Sequence, residues 1–220
     1  MISRIAFLSI IGLVVAGAVF GCKDKGITEP AAPDTTSGPP VVRKPNIYLY
    51  PETNQRISVQ IVFPLGGKIV QSDPDYGSGW LVDVEPSGRI NGQYDYLFYE
   101  AQVPDRYQYF SGWIIHRDTL SAFFVHTMAQ VGFSTREITD FIDYWEPRLN
   151  SHPLFEVYPQ QGAQLDGLIQ LQVNPVPQSQ LRLFFVIQPA RVNPADLTTP
   201  HLSKANRIGY HLAEWGVVLK

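Results

Sequence analysis

The chain has 220 residues, 45% hydrophobic and 17% charged, a balance that suits one globular domain with its own core and excludes a chain disordered throughout. A formal net charge of -3, with no block of Lys and Arg, excludes an electrostatic footprint for nucleic acid. A single cysteine excludes an internal disulfide framework and a cysteine-based metal cluster.

The first 22 residues have the form of a targeting segment. Arg4 supplies a positive start, residues 5–20 form an uncharged apolar run, and Val19-Phe20-Gly21-Cys22 closes it. The run is shorter than the roughly 20 residues a comfortable membrane span needs, which favours a cleaved signal over a retained helix. Residues 22–43, rich in Pro, Thr and Gly and without an apolar period, bury too little surface to offset their ordering entropy. They are expected to act as a tether ahead of one domain over 44–220.

Within that domain, Ile57, Val59, Ile61 and Phe63 alternate with polar residues and predict a half-buried strand. Gly66-Gly67 turns the chain into a short return through Ile69 and Val70. Trp80, Val82 and Val84 predict another strand, and residues 94–100 are strongly β-prone. The period then changes. Asp118 is placed to cap a helix running to about Val131, and Gly132 to stop it. Ser134-Thr-Arg-Glu137 is a capping box, followed by an apolar stripe of Ile138, Phe141, Ile142 and Trp145, with Pro147 ending the helix. Strands resume at 155–158, 168–173, 181–187 and 210–219. The nearly continuous apolar run at 182–187 suits a central strand covered on both faces. The expected class is α+β: a largely antiparallel sheet with a two-helix insertion, about 118–149, packed on one face.

Two resemblances add to this. Val19-Phe20-Gly21-Cys22 resembles the lipobox of bacterial lipoproteins. Val19, Gly21 and Cys22 match its pattern, and Phe20 is bulkier than the usual residue. The resemblance implies thioether formation at Cys22, cleavage after Gly21, and a mature N-terminus carrying long acyl chains such as palmitate. At about 0.8 kcal/mol per buried CH₂, two or three such chains hold a protein at a membrane. Lys23 stands where an acidic residue would favour inner-membrane retention, so the outer membrane is expected in a two-membrane cell. The second resemblance runs from Lys44 to Gly216. Lys44-Pro-Asn-Ile-Tyr-Leu-Tyr-Pro51, Trp80, Tyr96-Leu-Phe-Tyr-Glu100, the Glu137/Phe141/Tyr144/Trp145/Pro147 helix, the Arg182-Leu-Phe-Phe-Val186 strand and Glu214-Trp215-Gly216 occur in the order of an uncharacterised family of exported bacterial domains. Tyr99 stands where many relatives carry Trp. This resemblance implies one contiguous domain and transfers no activity.

Among groups that carry chemistry, Glu100 and Glu214 are the carboxylates of interest, because each lies in an aromatic, β-prone run. A carboxylate on an apolar face is either paired or raised in pKa. Two of them about 5–9 Å apart act on a glycosidic bond, while the simpler expectation is a structural hydrogen bond for each. Tyr48, Tyr50, Trp80, Tyr99 and Trp215 are candidates for a stacking face, against the alternative that they fill the core. His116, His126, His152, His201 and His211 have no metal-ligand spacing, and no cofactor is expected. No Gly-x-Ser-x-Gly elbow occurs. The first expectation is thus a lipid-anchored, non-catalytic envelope domain that contacts a protein or polysaccharide. The alternatives are an envelope hydrolase using Glu100 and Glu214, and a structural lipoprotein without a ligand.

Overall fold

A computed structural model describes residues 40–191 and 197–220. The expected signal segment, the lipid-bearing Cys22 and most of the expected tether lie outside the described residues.

Ten strands and three helices are arranged in layers. The strands are β1 (Val41–Tyr50), β2 (Gln55–Val62), β3 (Lys68–Asp73), β4 (Trp80–Val84), β5 (Leu97–Gln102), β6 (Trp113–His116), β7 (Leu154–Gln160), β8 (Gln170–Asn174), β9 (Ser179–Pro189) and β10 (His211–Leu219). The helices are α1 (Leu120–Val131), α2 (Thr135–Trp145) and the short α3 (Ala163–Asp166). One sheet has seven strands in the order β3-β5-β1-β10-β9-β7-β6, and a second has three in the order β4-β2-β8. Every pairing is antiparallel except β9 with β10. The α+β expectation with antiparallel sheets therefore holds. The second sheet and the parallel pair were not expected.

β1 begins at Val41, three residues inside the stretch expected to be tether, and Val42 is fully buried. Pro45 lies inside this strand, although β1 is flanked on both sides. Its missing N–H is tolerated because the register slips between Arg43 and Asn46 against β10, and across the same stretch against β5. Lys44, at φ 54°, supplies the left-handed residue of that bulge.

The large sheet is apolar on both faces. Ile47, Leu49, Leu97, Tyr99 and Leu212 share a core with Ile57, Val59, Trp80 and Val82 of the small sheet. On the opposite face Tyr48, Leu183, Phe185 and Trp215 share a core with Phe124, Met128, Phe141 and Trp145 of the helices. Phe124 and Phe141 lie 4.9 Å apart between ring centres, and Phe141 meets Trp215 edge-on at 5.2 Å. β9 is buried along most of its length because both layers cover it, as the apolar run at 182–187 predicts. Among the described residues no helix is long and apolar enough to cross a membrane.

Candidate functional site

The two carboxylates singled out from the sequence point to opposite faces of the large sheet. Tyr99 faces the core between the sheets and donates its hydroxyl to Glu214 Oε1 at 2.8 Å, which puts Glu214 on that face. Glu100 is the next residue of β5, and successive side chains of a strand alternate, so it points to the helix side. A sheet lies between the two carboxyl groups, and they cannot share one glycosidic bond. The stacking candidates are corrected as well. Tyr48, Trp80, Tyr99 and Trp215 are buried because their strands are covered on the faces they occupy. Tyr50 is half-buried, donates its hydroxyl to Glu137 at 2.7 Å, and stacks on His211.

Glu214 is nonetheless the hinge of a buried polar chain that ends in a cleft. It lies directly opposite Arg182 in the parallel β9–β10 ladder. Arg182 Nε donates to Glu214 Oε2 at 2.6 Å, and Nη1 donates to Asp166 Oδ1 at 2.6 Å and to the Ile169 carbonyl at 2.9 Å. Burial pushes the Glu214 carboxyl upward against the pull of Arg182. Burial also opposes the Arg182 charge, but Glu214, Tyr99 and Asp166 outweigh it and the guanidinium pKa rises. The 2.6 Å contact, with Tyr99 as a second donor, favours an ionised pair. Two carboxylates around one guanidinium leave the group with one surplus negative charge, carried to the surface by Asp166. That side chain is 50% exposed, whereas those of Arg182 and Glu214 are 6% and 0% exposed.

Asp166 closes α3 at the side of a cleft of about 560 Å³, within the roughly 300–1,000 Å³ range of ligand pockets. Its walls come from Phe110 and Ser111, from the turn at Gln161, from the start of β9, and from residues 200–205. Side-chain amides hold these walls in place. Gln161 donates to the Ser203 carbonyl and accepts from the Ser203 N–H, at 3.0 and 2.9 Å. Gln108 donates to the carbonyls of Ser111 and Pro159 at 2.8 and 2.6 Å. The backbones of Phe110 and Thr198 bond at 3.2 Å, and Ala205 N–H reaches the Val131 carbonyl at 3.0 Å. The cleft walls are therefore held by hydrogen bonds within the chain.

Protein-family models, curated proteins and solved structures were compared with the chain, and none matched.

The sequence reading did not single out Asp166 or Phe110, and it met Arg182 only as the start of a strand. Arg182 carries a faint signal, being the one charged residue of that strand. Asp166 and Phe110 sit in turns, and nothing local marks them. Among the described residues no group of three or more His, Cys, Asp or Glu side chains is placed to hold a metal ion. A smaller recess of about 240 Å³ lies between α1 and α2, lined by Phe124, Phe141, Ile142 and Trp145.

Residues from three separated stretches, 44–51, 96–100 and 137–147, meet in space around Lys44. Its ammonium lies 4.9, 4.4 and 5.4 Å from the ring centres of Tyr96, Phe98 and Tyr144 and donates to the Tyr96 hydroxyl at 3.3 Å. Burial lowers its pKa to about 8, against the opposing charges of Asp73, Asp140 and Glu100. Burial likewise raises the Glu100 carboxyl, against Arg43 and Lys44. The lowered lysine pKa has a testable consequence. Below pH 8 both folded and unfolded chains carry the proton, and the full penalty of burying the charge is present. From about pH 8 the folded chain loses the proton first, while the unfolded one holds it to about 10.5. Stability then rises with pH, by at most about 3 kcal/mol. Above pH 10 the buried tyrosines reverse the trend, since Tyr48 and Tyr50 are raised by burial and the unfolded chain ionises first. Urea unfolding from pH 7.5 to 10 is expected to show the rise, and Lys44→Met to flatten it. A wild-type stability that falls steadily over that window would remove this account of Lys44.

Proposed function

We propose that the protein is a lipid-anchored component of the cell envelope whose domain binds an envelope partner without catalysing a reaction, and that the partner enters the cleft beside Asp166. The observation that carries the reading is the cleft's construction. Its walls are pinned by the side-chain amides of half-buried Gln161 and buried Gln108, and its carboxylate is aimed by Arg182, which is held by Glu214, itself held by the Tyr99 hydroxyl. A carboxylate already paired with a guanidinium is a fixed hydrogen-bond acceptor, which is what a binding site requires. The structural alternative, a lipoprotein with no ligand, gives no reason for a buried ion chain ending in a cleft. The helix pair α1–α2 belongs to the same reading, as an insertion between β6 and β7 that covers the helix-side face of the sheet and backs the cleft wall through Val131.

The anchor rests on the sequence. Cys22 follows Gly21 behind an apolar leader, and a polar stretch separates it from β1. In this reading the acylated cysteine holds the domain at a membrane, the outer one where two exist, and the tether lets the cleft reach its partner. Three measurements test the proposal. Cys22→Ser should move the protein from the membrane fraction to the soluble envelope fraction, and mass spectrometry of the wild-type N-terminus should find an acylated cysteine. A bare Cys22 ends the anchor. Immobilised full chain incubated with envelope extract should retain a partner that Asp166→Ala releases. If nothing is retained, the binding function fails.

A further inference from the structure

Resting on that binding reading, we infer that the cleft takes a neutral polysaccharide, one or more of its sugar rings lying against Phe110 with hydroxyl groups on Asp166. A sugar ring offers an apolar C–H face and an edge of hydroxyls that both donate and accept. A matching site needs an exposed ring, a fixed acceptor and groups of mixed polarity.

All three meet here. Phe110 lines the cleft and is 70% exposed, one of the largest apolar exposures among the described residues. Covering such a ring removes apolar surface from water, which favours binding. Asp166 is held through Oδ1 by Arg182 Nη1 at 2.6 Å, and Oδ2 takes no part in that pair. This free oxygen is fixed in direction before a ligand arrives, so a hydroxyl that donates to it does not have to order it. Gln164 and Gln180 are exposed on the same cleft. An amide both donates and accepts, as a hydroxyl does.

Charge argues against the other ligand classes. The Arg182 guanidinium is balanced by Glu214 and Asp166 with one negative charge left over, and Lys204 on the opposite wall offsets that charge. No surplus positive charge is left for a phosphate or a polyanion. A protein partner anchors through a cluster of aromatic and aliphatic side chains at its centre, and here, among the described residues, Phe110 is the one large apolar side chain of the cleft that is exposed, with His201 and the side chains of Gln164 and Gln180 exposed on the same lining.

The test is isothermal titration of the full chain with soluble tetrasaccharides of glucose, mannose and N-acetylglucosamine. Envelope extract is passed over the immobilised chain in parallel. At least one tetrasaccharide should bind. Phe110→Ala and Asp166→Ala should each weaken it by about tenfold or more, and Asp166→Asn by less, because its amide oxygen still accepts. Phe110→Ala should melt as the wild type does, because its side chain is 70% exposed, while Asp166→Ala removes one partner of Arg182 and is therefore read beside Asp166→Asn, which keeps that acceptor. Binding that survives both alanine substitutions overturns the inference. If no tetrasaccharide binds while the extract still yields a protein released by Asp166→Ala, the saccharide inference falls and the binding function stands. If neither binds, the function itself falls.

Discussion

Replacing Arg182 by methionine is expected to destabilise the domain by about 3–5 kcal/mol. Methionine fills most of the volume, so the cost is electrostatic. Glu214 is 0% exposed and would keep only the Tyr99 hydroxyl as a partner. An uncompensated carboxylate in that core must either stay charged in a low dielectric or take up a proton, and both are costly at neutral pH. The Ile169 carbonyl loses its donor too. The substitution therefore breaks a pair, in contrast to removing it whole. Arg182→Met combined with Glu214→Gln leaves a neutral group that still accepts from Tyr99, and should restore at least half of the loss. Urea midpoints at pH 7 with unchanged m-values measure both. A single-variant loss under 1 kcal/mol would mean that the pair is solvated or poorly formed, and the buried chain to Asp166 would lose its meaning. In the folded fraction Asp166 should also become mobile, weakening any ligand of the cleft.

The dependence of Asp166 on Glu214 marks where sequence reading stops. Features decided within a few residues were legible. Ser134 and Glu137 do form a capping box, and Gly132 closes α1 at φ 112°. Asp118 is less local than it looks, because a 3-10 turn over Arg117–Thr119 precedes α1 and Thr119 takes the cap position. The β-prone run at 94–100 yields a strand only from Leu97, because Tyr94 is used in a turn that pairs with Ile90. Face parity within one strand was also legible, since Glu100 shares a side with Phe98, and Glu214 with Leu212. Which side of the sheet each set takes depends on pairing of β1 with both β5 and β10, and on a bulge at Lys44-Pro45 that shifts both registers. No local pattern encodes that. The second sheet is equally non-local: β2 alternates as expected, but its partner β8 lies more than a hundred residues away. The cleft draws its walls from four separate segments, so its chemistry was dispersed in the sequence.

Glu137→Ala is expected to cost about 3 kcal/mol at neutral pH, and the loss should shrink in acid. Glu137 is wholly buried and accepts four hydrogen bonds: from Arg207 Nη1 and Nη2 at 2.5 and 2.9 Å, from the Tyr50 hydroxyl at 2.7 Å, and from the Ser134 N–H at 2.7 Å. The figure lies at the low end for a broken buried pair because the Arg207 side chain keeps 20% of its exposure and can be hydrated. Burial opposes the Glu137 charge, yet Arg207, Ser134 and Tyr50 outweigh it and hold the carboxyl below its ordinary value of 4.5. A group whose folded pKa is depressed contributes its stability above the unfolded value and loses it as pH falls through the folded one. Below pH 4.5 the wild type therefore gives up this contribution while the alanine variant has none to lose, and the two urea midpoints should converge. A gap that stays constant from pH 7 to pH 3 would show that Glu137 acts by packing alone. The substitution also reaches the cleft. Arg207 ties residues 200–209 to α2, and Ala205 of that segment donates to the Val131 carbonyl at 3.0 Å. Without Glu137 the Ala205 amide should exchange its hydrogen faster than in the wild type, because the wall that faces Asp166 has lost the clamp behind it.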